Sequence, residues 1–189
     1  ALLAPDLTIG SNVVKLDGLR YRIHLDLRGE GGRRLTGDLS LQATPGRLVP
    51  PLEIAGARGW RTGYVVPVMS GALDGELQVA DVRIPMTGSG YHDHNWGFWQ
   101  GVSWQWGQVQ HEDLSFLYGR VFPPANAADP ARMPGFVGAL GPDGPLGYAT
   151  NVTIAETNNA DGRPQRIEVR ARGTGLDLRL QFDVASAIT

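Results

Sequence analysis

Leu19-Arg20-Tyr21-Arg22-Ile23-His24-Leu25-Asp26-Leu27 alternates apolar and polar residues without a break. In an extended chain successive side chains point to opposite faces, so Tyr21, Ile23, Leu25 and Leu27 fall on one side and Arg20, Arg22, His24 and Asp26 on the other. The stretch reads as a half-buried strand of an antiparallel sheet. Working outward, residues 28–34 have the glycine-rich chemistry of a turn and residues 35–43 alternate again, which makes a hairpin that Thr44-Pro45-Gly46 ends. Residues 64–69 are a short apolar run broken by Pro67, which suggests an edge strand or a bulge. Residues 73–79 and 82–84 pair about Ala80-Asp81, and residues 104–110 and 114–122 flank His111-Glu112-Asp113 as a third hairpin. Residues 136–140, 147–155, 165–171 and 176–184 add four more strands between Gly- and Asp-containing turns. About ten short strands and no sustained helical period predict an all-β fold, a barrel or a sandwich.

Composition narrows the field. The 189 residues include 26 Gly and 13 Pro, breakers that exclude a bundle of long helices. The length suits one large domain or two small ones. The Pro-, Ala- and Asp-rich loop at residues 123–134 is the best boundary, giving regions 1–122 and 123–189. Without cysteine there are no disulfides and no thiol chemistry. A formal charge of −2 offers no basic face, so nucleic acid is not an expected partner. No apolar run approaches the roughly 20 residues of a membrane helix, and no charged-then-apolar signal segment opens the chain, which favours a cytoplasmic or membrane-peripheral location.

Chemistry concentrates in Thr87-Gly88-Ser89-Gly90-Tyr91-His92-Asp93-His94-Asn95-Trp96-Gly97. If extended, His92, His94 and Trp96 share one face and Tyr91, Asp93 and Asn95 the other. Glycines on both flanks permit a bulge or a close backbone approach. Three readings compete. As an acid/base site, Asp93 is a proton donor among apolar walls, with His92 or His94 orienting it or relaying the proton. As a metal site, His92 and His94 need a third ligand such as His24 or His111. A purely structural reading makes Asp93 and Asn95 buried caps of neighbouring backbone and the histidines satisfied core residues. No Ser sits in a nucleophile elbow, and Gly88-Ser89-Gly90 precedes no helix that could hold a phosphate.

Four of the five Trp lie between Trp96 and Trp106. Trp104 and Trp106 share a strand face; with Trp99 and Tyr118 they are candidates either for ordinary core packing or for the walls of a cavity. Indole faces beside an acid could stabilise a developing carbocation by roughly 0.5–2 kcal/mol each.

The segment from Gly88 to Gly97, followed by Ser103-Trp104-Gln105-Trp106-Gly107 and the strand at residues 114–121, resembles the hydroxyneurosporene synthase (carotenoid 1,2-hydratase) superfamily of lipocalin-like proteins. The likeness is strongest to its kievitone hydratase branch, and the superfamily also includes lipocalin-like Diels–Alderases. About 35 residues carry it, and His94 stands where that branch has another residue. The resemblance implies lipocalin-like antiparallel β-barrels, two of them with one shortened, or one, around an apolar ligand pocket. It makes Asp93 the acid that protonates a C=C bond, Tyr91 and His92 its neighbours, and Trp96 and Trp104 the wall of the cation.

The expected function is therefore a cofactor-independent hydratase or cyclase acting on an apolar isoprenoid or polyketide-like small molecule. Tyr91, His92, Asp93 and His94 form the catalytic group, Asn95, Trp96, Trp99, Trp104, Trp106 and Tyr118 the substrate contacts, and no metal or cofactor is involved. A Diels–Alderase that works by templating its substrate, needing no proton donor, and a non-catalytic lipocalin-type binder of hydrophobic molecules remain as alternatives.

Overall fold

The computed structural model describes residues 6–97, 100–129, 133 and 135–187. These form thirteen strands: β1 (Asp6–Ile9), β2 (Asn12–Asp17), β3 (Arg20–Arg28), β4 (Arg34–Ala43), β5 (Val49–Ala55), β6 (Arg61–Val79), β7 (Val82–Gly97), β8 (Ser103–His111), β9 (Leu114–Phe122), β10 (Phe136–Gly141), β11 (Gly144–Asn158), β12 (Pro164–Thr174) and β13 (Leu176–Asp183). The fold is all-β and barrel-like, built from antiparallel sheets of which one is a curled half-barrel. No helix among the described residues is long and apolar enough to cross a membrane.

The first sheet runs β1-β2-β3-β4-β6-β5, and β7 also pairs with β6. The alternating stretch at residues 19–27 becomes β3, and its register explains its core. Leu16 opposes Tyr21, Tyr21 opposes Leu41 and Leu41 opposes Leu73, so one apolar row crosses four strands. Tyr21, Leu41, Ala43 and Val68 are buried there, with Val14, Leu16, Ile23 and Leu73 packed against them. Leu27, assigned to the same face, is 45% exposed, because the buried row ends before it. The β3–β4 turn runs through Gly31 and Gly32 at φ of 72° and 74°, where a side chain would be strained.

The second sheet is a meander in the order β13-β12-β11-β10-β9-β8. Strands lie about 4.8 Å apart, so β9 and β13 of a flat sheet would be roughly 19 Å apart. Yet the rings of Tyr118 on β9 and Phe182 on β13 are 5.6 Å apart, and Gln105 Nε2 on β8 donates to Glu156 Oε1 on β11 at 2.9 Å. The sheet curls on itself. Its concave side is filled by Tyr118, Val137, Ala139, Ala149, Val169, Ala171 and Leu176, with the three alanines leaving room for the tyrosine ring.

Several sequence expectations change. Strands β1, β2 and β5 add to the ten or so expected; the first two are short, and β5 contains Pro50 and Pro51, which argue against a strand. Pro67 lies inside the 19-residue β6, which runs on without a break through the second apolar stretch. The ladder of β6 with β4 starts beyond it, at Gly71. The chain divides into two compact units, residues 1–51 with 64–94 and residues 52–63 with 95–189. Phe122 and Pro123, where the sequence suggests a boundary, lie in the same unit, since β9 pairs with β10 across the loop.

Gly107 opposes Tyr118 in the β8–β9 ladder, and a methyl group built on it would fall inside the Tyr118 ring. Gly107→Ala is expected to lower stability by about 1–3 kcal/mol through overpacking, read as a fall in the urea midpoint; an unchanged midpoint would remove Tyr118 from this seat.

Candidate active site

Strand β7 continues extended through the whole chemical segment. The alternation expected for it holds where it can be checked. Tyr91 and Asp93, two residues apart, meet: Tyr91 Oη donates to Asp93 Oδ2 at 3.1 Å. Tyr64, reaching over from β6, brings its Oη to 2.9 Å from Tyr91 Oη. Three polar side chains thus form one hydrogen-bonded series, Tyr64–Tyr91–Asp93, half-buried within the first unit. Burial first, then the Tyr64 hydroxyl and the Asp93 charge, push the Tyr91 phenol far above the usual tyrosine range. It therefore remains a neutral donor at any ordinary pH.

His92, between the two, lies against the opposite wall. Its ring meets Tyr21 edge to face, centroids 5.0 Å apart at 73°. Its Nδ1 is buried and has no hydrogen-bond partner among the described residues. Burial pulls the imidazole below the usual histidine range; Asp93 opposes this and His94 adds to it. His94 itself is exposed. The arrangement makes His92 a neutral, apolar-seated ring rather than a cationic partner of the acid. His24, one possible third metal ligand, instead pairs with Asp38 at 2.8 Å between Nδ1 and Oδ1, and His111 ends β8 in an exposed position. Among the described residues no three His, Asp or Glu side chains converge as a metal site would require.

The remaining expected residues belong to the second unit. Asn95 is exposed. Trp96 lies across Gly63 so closely that a methyl group there would enter the indole, and its Nε1 donates to Glu53 Oε2 at 3.3 Å. Trp104 and Trp106 share a face of β8, and they are 59% and 41% exposed. Register sets them apart from Tyr118: Trp106 opposes Gly119 and Trp104 opposes Val121, while Tyr118 opposes Gly107. Tyr118 thus points into the concave side and the two indoles out of the other, so these three do not wall one cavity. Trp99 lies outside the described residues, as does Phe98.

Tyr64 was not among the sequence candidates, although it stands in the apolar run that the sequence marks as a strand. Its contact with Tyr91 depends on how β6 and β7 lie side by side, which neither strand's own pattern discloses. No protein-family model matches the chain, and no curated protein or solved structure matches it.

The depressed basicity of His92 carries a pH signature. In the unfolded chain a histidine binds its proton as pH falls through about 6.5. The folded His92 resists protonation, so below that pH the unfolded state holds more protons and folding stability declines; above it the group contributes no slope. Melting temperatures followed from pH 8 to pH 5 are expected to fall on the acid side (roughly below pH 6.5), and the fall is expected to be smaller in His92→Phe, which keeps a ring against Tyr21. Equal slopes in the two proteins would show that His92 is not the group concerned.

Proposed function

We propose that the protein is a cofactor-independent hydratase or cyclase-type enzyme acting on an apolar isoprenoid or polyketide-like substrate, with Asp93 as the proton donor to a C=C bond. The observation that carries this reading is the hydrogen bond from Tyr91 Oη to Asp93 Oδ2. Protonating an unactivated alkene demands that negative charge on the acid's conjugate base be stabilised as the proton leaves. The Tyr91 hydroxyl is aimed at the oxygen where that charge develops. The sequence resemblance of the Gly88 to Gly97 segment to the carotenoid hydratase superfamily supports the same assignment.

In this scheme the carboxylic acid gives its Oδ1 proton to the less substituted alkene carbon, and the π pair becomes the new C–H bond. The tertiary cation left behind takes a water oxygen, forming the C–O bond. The resulting oxonium returns a proton to the Asp93 carboxylate, which closes the cycle without any other reactant. In a cyclase variant a second alkene of the same substrate captures the cation in place of water, its π pair becoming the new C–C bond, and the cation so formed loses a neighbouring proton to the Asp93 carboxylate, leaving a C=C bond.

A second reading is a non-catalytic binder of hydrophobic small molecules. It draws on a different observation, the exposure of Trp104 and Trp106 side by side on one face of β8.

A suitable assay incubates the protein with an acyclic polyene and with a prenylated phenol, each bearing a terminal trisubstituted alkene, and follows gain of one water by mass spectrometry. Asp93→Asn is expected to reduce turnover by roughly 10²–10⁴-fold while leaving the fold intact, and Tyr91→Phe by roughly tenfold. Full turnover in Asp93→Asn, with loss in Trp104→Ala, would transfer the reading to templating of a pericyclic reaction. Quenching of tryptophan fluorescence by the polyene, unaffected by Asp93→Asn and without product, would favour the binder.

A further inference from the structure

We infer that Tyr64 is a positioning residue that orients the acid through Tyr91; the inference rests on the reading of Asp93 as proton donor given above. The argument is a count of protons. A phenol carries one proton and can accept more than one, whereas a carboxylate carries none. At 3.1 Å from Asp93 Oδ2, the Tyr91 hydroxyl spends its single proton on the carboxylate. The 2.9 Å contact between the two phenol oxygens must then use the proton of Tyr64. The series has one direction, from Tyr64 to Tyr91 to Asp93.

That direction is the same before and after proton delivery. With Asp93 protonated on Oδ1, Oδ2 still accepts from Tyr91; with Asp93 ionised, it accepts the same bond and the charge strengthens it. No hydroxyl has to rotate as the reaction proceeds, which is the condition for a preorganised site. Tyr91 and Asp93 both belong to β7, so their bond by itself ties the Tyr91 hydroxyl to no neighbouring strand. Tyr64 comes from β6 and fixes that hydroxyl from a second strand. By donating to the Tyr91 oxygen it also polarises the Tyr91 O–H, so the second bond of the series gains from the first. The strongly raised ionisation range of Tyr91, to which Tyr64 contributes next after burial, agrees with a phenol that keeps its proton throughout.

The test reads the Tyr91 hydroxyl directly. Protein carrying tyrosine labelled at ¹³Cζ is placed in an equal mixture of H₂O and D₂O, where a slowly exchanging hydroxyl splits its ¹³Cζ line in two. A doublet is expected for Tyr91 in the wild type and a single line in Tyr64→Phe. In the alkene hydration assay Tyr64→Phe is expected to lower kcat roughly tenfold, the weight of one hydrogen bond, with KM unchanged. Tyr64→His, which keeps a ring donor toward Tyr91, is expected to recover part of kcat. A single Tyr91 line in the wild type overturns the inference whatever the variants do, so a Tyr64→Phe protein that fails to fold does not shelter it. A doublet that persists in Tyr64→Phe, with kcat unaltered, overturns it too and leaves the role of Asp93 standing. Full turnover in Asp93→Asn removes the acid reading instead, and is distinguishable because the Tyr91 doublet is measured without substrate.

Discussion

The pairing of β7 with β6 is the constraint on which the candidate site depends. A strand has a side-chain period of two, so the register that places Tyr91 and Asp93 together also sends His92 to the opposite wall. A slip of one residue would exchange the two sets, leaving a phenol and a carboxylate where the imidazole now meets Tyr21. Gly90 lets the strand lie close to the core. A methyl group on Gly90 would lie 2.6 Å from Leu41 Cδ1, and Leu41 is part of the buried row that crosses four strands. A side chain at position 90 would therefore require the Leu41 side chain to shift within the core. The core row and the polar series are in this sense one construction.

The electrostatics follow from the same placement. Half-burial penalises charge, and the groups around Asp93 respond by staying neutral: the Tyr91 phenol holds its proton, and the His92 imidazole declines one. Asp93 thus faces a neutral donor, the Tyr91 hydroxyl. An arginine at this distance would pair with the carboxylate as Arg34 does with Asp26, where two bonds at 2.7 and 2.9 Å hold the carboxyl below its usual range. Such a pair is a structural tie. A phenol donor gives direction without a full opposing charge.

Much of the fold was legible because alternation is a local property. Residues 20–28, 34–43, 103–111 and 114–122 became strands within a residue or two of where the pattern places them, and the two hairpins they form have the expected partners. Strand β5 was hidden by Pro50-Pro51, and β1 by its four residues, too short for a period to show. The site divided along the same line. That Tyr91 and Asp93 share a face follows from spacing alone, while Tyr64 required the relation between two strands. The grouping of Tyr118 with Trp104 and Trp106 failed for a reason that was available in the sequence. A hairpin turning at Glu112 and Asp113 opposes residue 107 to residue 118 and residue 106 to residue 119. Counting across that turn puts Tyr118 and the indoles on opposite faces.

The abundance of glycine also takes on a second meaning beyond turns. Gly63 lies under Trp96, Gly107 under Tyr118 and Gly119 under Phe136, each so close that a methyl group would meet the ring. Within the second sheet the seats are in register, since Gly107 opposes Tyr118 on β8–β9 and Gly119 opposes Phe136 on β9–β10. A glycine in a strand weakens the sheet by its flexibility and by baring backbone to water, and an aromatic ring laid across it from the next strand reverses both effects. Phe136 extends the arrangement by stacking with Tyr148 on β11, centroids 6.5 Å apart at 16°. Aromatic residues that the sequence offers as ligand contacts are, at Tyr118 and Trp96, also the covers that keep glycine-bearing strands dry. A ligand role for either must therefore be compatible with the ring staying in its seat, and this restricts the reading more tightly for Tyr118, 5% exposed, than for the half-buried Trp96.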